Sequence, residues 1–172
     1  MRELLVVRHA IARERALDMD DALRPLTAKG RDRMVLASHG LCSQHGNIDT
    51  LLSSPLLRAR QTAEILASDY PDATLLTCAA LAPGFDSGKL VRVLNRTGGN
   101  SLAIIGHEPG LSRLIGALIG NGEEGGNSGI VLKKGGAALL RFTGRIAPGE
   151  GSLQWLLTPR QLRQLGRLGR HG

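Results

Sequence analysis

Leu4-Leu5-Val6-Val7-Arg8-His9-Ala10 is the stretch of this 172-residue chain whose reading decides the fold. Four apolar residues without alternation describe a strand buried on both faces, the kind found in parallel sheets. The run ends abruptly in a cation and an imidazole. Ligands of open α/β sheets sit beyond the carboxyl ends of the strands, which is where Arg8 and His9 fall. An arginine presents a fixed fork of donors to a phosphate, and a histidine offers a nucleophilic nitrogen near neutral pH.

Further along, apolar runs alternate with helical patterns. Thr27 is placed to cap a helix that carries Met34-Val35-Leu36 and frays between residues 40 and 46. Leu51-Leu52 is a short strand. Ser54 as cap and Pro55 at the first helical position then open a helix through Leu56, Ala59, Ala63, Ile65 and Leu66. Residues 74–77 form a short strand, and a helix begins after Asp86. Residues 101–105 are a second continuous apolar strand, followed by a helix that Pro109 opens. The glycine-rich stretch from 120 to 129 reads as a loop. Residues 130–132 and 137–142 read as a hairpin joined through Lys133-Lys134-Gly135-Gly136, with a last strand near 153–157. This order predicts a three-layer α/β/α fold with a mostly parallel central sheet and one antiparallel portion, in a single domain over residues 1–172.

Composition narrows the function. The chain carries 22 Lys and Arg against 15 Asp and Glu, a net charge of +7, which suits an anionic partner. Single-strand nucleic-acid binding leans on aromatic platforms. Tyr70, Phe85, Phe142 and Trp155 are too few and too scattered for one, and nucleic acid is not the expected partner. Arg160, Arg163, Arg167 and Arg170 interleave with Leu162, Leu165 and Leu168, the pattern of a helix docked by its apolar side. Two cysteines, Cys42 and Cys78, fit a reducing compartment. With no signal-peptide pattern and no apolar run of membrane-spanning length, a cytoplasmic protein is expected. His39-x-x-Cys42-x-x-His45 imitates ligand spacing, but it lacks a fourth partner and reads as an ordinary helix terminus.

Three strand ends now carry phosphate-seeking groups: Arg8-His9, then Ser54-Pro55-Leu56-Leu57-Arg58-Ala59-Arg60-Gln61-Thr62, then Gly106-His107-Glu108-Pro109. If the strands are parallel, all three meet at one edge of the sheet. Together with Arg24-Pro25-Leu26-Thr27, these motifs resemble the histidine phosphatase superfamily, whose fold is phosphoglycerate mutase-like. Over residues 1–160 the chain is most similar to the small SixA-type branch of phosphohistidine phosphatases, without an inserted lid domain.

The resemblance implies a two-step phosphoryl transfer with His9 as nucleophile and a covalent phosphohistidine intermediate. Arg8, Arg58 and His107 would surround the phosphoryl oxygens. It also brings Arg24 and Asp21 near the site, either as substrate contacts or as a surface salt bridge that closes a loop. Charge spreads over three equatorial oxygens during phosphoryl transfer, so cationic donors do most of the work. Two guanidiniums and one protonated imidazole would supply it without a metal or other cofactor. His9 is expected neutral, its tautomer fixed by a carboxylate or a backbone carbonyl, and His107 cationic.

Ala10 stands where the wider superfamily has glycine. Larger relatives place a glutamate general acid in a segment that here reads Ala79-Ala80-Leu81-Ala82-Pro83-Gly84-Phe85-Asp86, and no glutamate occurs between Glu64 and Glu108. A hydroxyl resembling water, with a pKa of about 15.7, is a poor leaving group without a proton donor. An imidazole, with a conjugate-acid pKa of about 6.5, departs far more easily. The expected substrate is therefore a phosphohistidine-bearing protein such as a histidine phosphotransfer domain, with Asp21 or Asp86 as substitute acids. The alternatives are a small-molecule phosphomonoester phosphatase and a non-catalytic phosphate-binding signalling module.

Overall fold

The computed structural model describes residues 1–120 and 129–169. The loop expected between 120 and 129 and the last expected arginine, Arg170, thus fall wholly or mostly outside the described residues. Among the described residues six strands make one sheet: β1 (Arg2–Arg8), β2 (Thr50–Ser53), β3 (Thr74–Thr77), β4 (Ser101–Gly106), β5 (Ala137–Phe142) and β6 (Ser152–Leu157). Their order across the sheet is β3-β2-β4-β1-β5-β6. The first four run parallel; β5 lies antiparallel to β1 and β6 antiparallel to β5. The expected mostly parallel sheet with an antiparallel portion is the observed one.

Five α-helices of the described residues cover it: α1 (Ala28–Gln44), α2 (Leu57–Asp69), α3 (Ser87–Arg96), α4 (Gly110–Ile119) and α5 (Pro159–Leu168). The unbroken apolar run of β1 follows from this sandwich, because successive side chains point to opposite faces. Leu5 and Val7 join Met34, Leu41, Ala63, Leu66 and Leu162 beneath α1, α2 and α5. Leu4 and Val6 join Leu90, Leu94, Leu114 and Leu118 beneath α3 and α4. With so few aromatics, aliphatic side chains fill both layers.

Helix α1 begins at Thr27, whose hydroxyl accepts the Gly30 N–H at 2.9 Å, and runs to Gln44, without the expected fraying from residue 40. The reason is α5: Gly40 and Gly166 let the two helix backbones approach so closely that a Cβ on either would strike a carbonyl of the other helix. The basic helix is thus held on the core by its small and apolar side.

Two local expectations are corrected. Residues 130–132 form no strand, and the chain turns instead at 134–135 beside Arg8: Leu132 is buried, and its carbonyl accepts from Arg8 Nη1 at 2.9 Å. Both edges of β5 are taken, by β1 and β6, so the late hairpin is β5–β6. Helix α2 starts at Leu57 rather than at Pro55. Ser54 instead extends the sheet, its N–H donating to the Ile105 carbonyl at 2.9 Å. Among the described residues no helix is long and apolar enough to cross a membrane.

Candidate active site

Strand register explains why distant motifs meet. Arg8 pairs with Gly106 across β1 and β4, and Ser53 pairs with Ile105 across β2 and β4. The residues that follow, His9, Ser54 and His107, leave the sheet along one row at its carboxyl edge. There the imidazoles of His9 and His107 stand 5.1 Å apart between centroids, tilted by 52°. His9, Arg58 and His107 are each buried to more than nine-tenths, at 6%, 4% and 5% exposure.

Backbone and hydroxyl contacts set His9. Its N–H donates to the Gly106 carbonyl at 3.1 Å, and its Nδ1 lies 2.7 Å from its neighbour's carbonyl, Ala10 O. A carbonyl only accepts, so Nδ1 carries the proton and Nε2 keeps its lone pair. Of the two devices expected to fix the tautomer, the backbone carbonyl is the one present. Thr62 pins the turn: its hydroxyl accepts the Ala10 N–H at 3.1 Å and donates to the Arg58 carbonyl at 2.7 Å. Thr62 sits one helical turn after Arg58, so one face of α2 serves both residues.

His107 is held by Ser54, whose hydroxyl is 2.8 Å from its Nε2. Sequence reasoning cast Ser54 as a helix cap and missed this role. Arg58 is held by Asp21: Nη2 reaches Oδ2 at 3.1 Å, and Nη1 reaches the Asp21 carbonyl at 2.8 Å. Asp21 sits in a 3-10 turn, Asp21–Leu23, that brings the loop before α1 over the site. Its other oxygen takes Arg24 Nε at 3.0 Å, while Arg24 Nη1 donates to the Arg13 carbonyl at 2.7 Å. Asp21 thus joins the site directly and Arg24 through Asp21. Glu108 lies near enough to Arg8 to favour its charged form.

Electrostatics follow from this crowding of cations in a buried place. Burial pushes the His9 pKa down to about 3, with His107, Arg58 and Arg8 adding to the descent and the Ala10 carbonyl opposing it. Burial likewise pushes His107 down to about 4, helped by Arg58 and opposed by Asp21. His107 is therefore neutral at pH 7 in the free site, where a cation was expected, because burial penalises the charged ring and Arg58, Arg24 and Arg8 add to that penalty. Burial would raise Asp21, but Arg58 and Arg24 outweigh it and hold the carboxyl below the usual range. Asp86, the other expected substitute acid, caps α3 by accepting the Lys89 N–H at 2.8 Å, and the amide lowers its pKa. The buried atoms Arg8 Nε, Arg58 Nε and His107 Nδ1 have no hydrogen-bond partner among the described residues.

The residues of the metal-like spacing disperse. His39 faces Asp69 at 3.5 Å, whereas His45 Nε2 meets the Ser101 hydroxyl at 2.8 Å.

Comparison with known proteins agrees with this geometry. Residues 4–81 match the family model of the histidine phosphatase superfamily (branch 1). An uncharacterized protein of Picosynechococcus sp. is 38% identical over 142 residues, covering 81% of this chain and 84% of that one. The phosphohistidine phosphatase SixA of Escherichia coli K12 is 33% identical over 125 residues, covering 67% of this chain and 73% of that one. The solved structure of the protein histidine phosphatase SixA complexed with tungstate superposes with a TM-score of 0.77 at 26% identity, over 93% of this chain and 99% of that chain. The chain therefore belongs to the histidine phosphatase superfamily and is a SixA-type phosphatase.

Proposed function

We propose that the chain, acting as one domain in the cytoplasm, removes phosphoryl groups from phosphohistidine in a signalling or phosphotransfer protein. The observation that carries the reading is the 2.7 Å contact between His9 Nδ1 and its neighbour's carbonyl, which leaves Nε2 unprotonated beside two arginines. In the first step the Nε2 lone pair attacks phosphorus while the substrate's N–P bond breaks. When the other nitrogen of the substrate ring is protonated, that ring departs as neutral imidazole and needs no further proton. In the second step water attacks the phosphorus of phospho-His9. The His9–phosphorus bond breaks, Nε2 recovers its electron pair, and the proton of the water passes to a neighbouring base or to solvent as phosphate leaves.

Arg8, Arg58 and His107 would hold the equatorial oxygens, being the groups gathered close enough to His9 to act on its charge. An incoming phosphoryl dianion offsets the field of the arginines, so His107 gains a proton when substrate binds. A demanding leaving group finds little help from Asp21, which is ionised and tied to three arginines, Arg58, Arg24 and Arg15, or from Asp86, which is tied to the start of α3. This favours an N–P bond over a sugar phosphate.

Labelled phosphate trapped on His9, stable to base and labile to acid, is the expected result with a phosphohistidine substrate. His9→Ala should abolish trapping and turnover. Hydrolysis at the original rate in that variant removes His9 as nucleophile. A kcat/KM for a sugar phosphate equal to that for phosphohistidine protein removes the substrate assignment.

A further inference from the structure

The loop after His9 has a second side. Ala10 and Ile11 form one wall of a cavity of about 220 Å³ that opens between α1, the turn at residues 133–135 and the start of α5. Five cations line it: Arg33 from α1, Lys133 and Lys134 from the turn, Arg160 and Arg163 from α5. Among the described residues no carboxylate lines it. Among the described residues none of the five takes part in an ion pair. Arg163 is half-buried, and burial together with Arg33, Arg167 and Arg160 lowers its pKa.

Like charges gathered without counter-charge cost the free protein self-repulsion, which an anionic partner relieves. The N-terminus of α5 is not the attraction, because its capping box already satisfies the Thr158 and Gln161 N–H groups. Four of the five cations are exposed on long side chains, and they come from three separate elements. A small phosphate needs donors fixed around one point. Dispersed, mobile cations suit a broad acidic surface, for which they steer encounter and fix orientation.

We infer that this basic groove receives an acidic surface of the phosphohistidine-bearing protein and so presents its phosphoryl group to His9 across the Ala10-Ile11 wall. The inference rests on the phosphohistidine reading for the identity of the partner, not for the existence of an acid-binding surface. Its consequence is that protein substrates enjoy a lower KM than free phosphohistidine, and that this advantage fades with salt.

The test pairs Arg33→Glu/Arg160→Glu with the neutral Arg33→Gln/Arg160→Gln, neither touching the His9 pocket. The probe is a histidine phosphotransfer domain of net negative charge. Its affinity is measured unphosphorylated by fluorescence anisotropy, and kcat/KM is measured on the phosphorylated domain and on free phosphohistidine. Charge reversal should weaken binding and lower kcat/KM on the domain at least about tenfold, with the neutral pair between, while free phosphohistidine changes by less than about twofold. Unchanged turnover of free phosphohistidine also reports an intact fold. Equal affinity for wild type and reversal variant, or no measurable binding by wild type, overturns the groove assignment. A single-stranded oligonucleotide that binds as tightly as the domain at about 150 mM salt overturns the acidic-protein partner. A reversal-sensitive affinity without turnover of either phosphohistidine substrate supports the groove and overturns the phosphohistidine reading instead.

Discussion

Asp21 grips Arg58 twice, through its carboxylate Oδ2 at 3.1 Å from Nη2 and through its own carbonyl at 2.8 Å from Nη1. The two bonds fix the plane of the guanidinium, and its Nε has no hydrogen-bond partner among the described residues. A carboxylate so engaged positions a cation; it does not hold a proton to give away.

Asp21→Asn separates these roles. The backbone carbonyl bond survives and the charged one is lost, so Arg58 drifts from its aligned position. A misplacement of this kind costs on the order of 10²-fold in rate. The loss in kcat should be alike for substrates with good and poor leaving groups. A loss confined to poor leaving groups would instead mark Asp21 as a general acid. Arg24→Ala should cost less, because among the described residues Arg24 bonds to Asp21 rather than to Arg58 or His107.

Ser54→Ala removes the hydroxyl that meets His107 Nε2 at 2.8 Å in a fully buried place. A buried polar group left without its partner costs about 1–3 kcal/mol, so the variant should unfold at lower urea. The freed imidazole also loses its orientation, and kcat should fall with little change in KM. Ser54→Thr retains the hydroxyl and should recover part of both. Wild-type urea midpoint and kcat in the alanine variant would show that the contact matters to neither.

The central strands and the residues at their ends were legible because burial on both faces leaves no choice but unbroken apolar runs, as in β1 and β4. The residues His9, Arg58 and His107 could be placed together from strand order alone. What escaped were partners chosen by tertiary approach. Ser54 has the composition and position of a helix cap, yet the neighbouring strand claims its N–H and His107 its hydroxyl. Residues 130–132 have a strand's composition, but β5 has no free edge to pair with them. Asp21 looked equally suited to a surface salt bridge, since no local pattern reports a contact across 37 positions of sequence. The lowered pKa of His107 in the free site escaped because burial, and after it Arg58, Arg24 and Arg8, act on the ring together, and burial is invisible in a motif.

Gly166 and Gly40 offer a test of the helix pair. A methyl at Gly166 would strike the Leu36 carbonyl, and one at Gly40 the Leu162 carbonyl. Neither obstacle is a side chain that can swing away, so α5 must lift from α1. Overpacking of this kind costs about 1–3 kcal/mol, outweighing the gain of about 1 kcal/mol that alanine brings to a helix interior. Gly166→Ala should therefore lower Tm, whereas Gly169→Ala, whose methyl meets nothing closer than 3.9 Å among the described residues, should not. If both variants melt with wild type, the close approach of the helices is not what holds α5.

Acid should loosen the fold through the two site imidazoles. Their folded pKa values, about 3 for His9 and about 4 for His107, lie below the ordinary histidine value of about 6.5. As pH falls from about 6.5 toward 4, the unfolded chain takes up protons that the folded site refuses, so stability falls with pH and is fully present above that window. The Asp21 carboxyl, also depressed, adds loss in the same direction as pH falls through its own folded value. Urea unfolding should show a free energy that is nearly level from pH 7.5 to about 6.5 and falls from there to pH 5, and His107→Asn should flatten that fall. Orthophosphate brings negative charge beside Arg8 and Arg58 and should raise the His107 midpoint, read from its imidazole NMR resonances. A midpoint near 6.5 for either ring in the free protein would mean that the site is wetter, or its arginines more distant, than their burial requires. A His107 midpoint that ignores orthophosphate would remove this ring from the anion's coordination and leave Arg8 and Arg58 as the charges that face it.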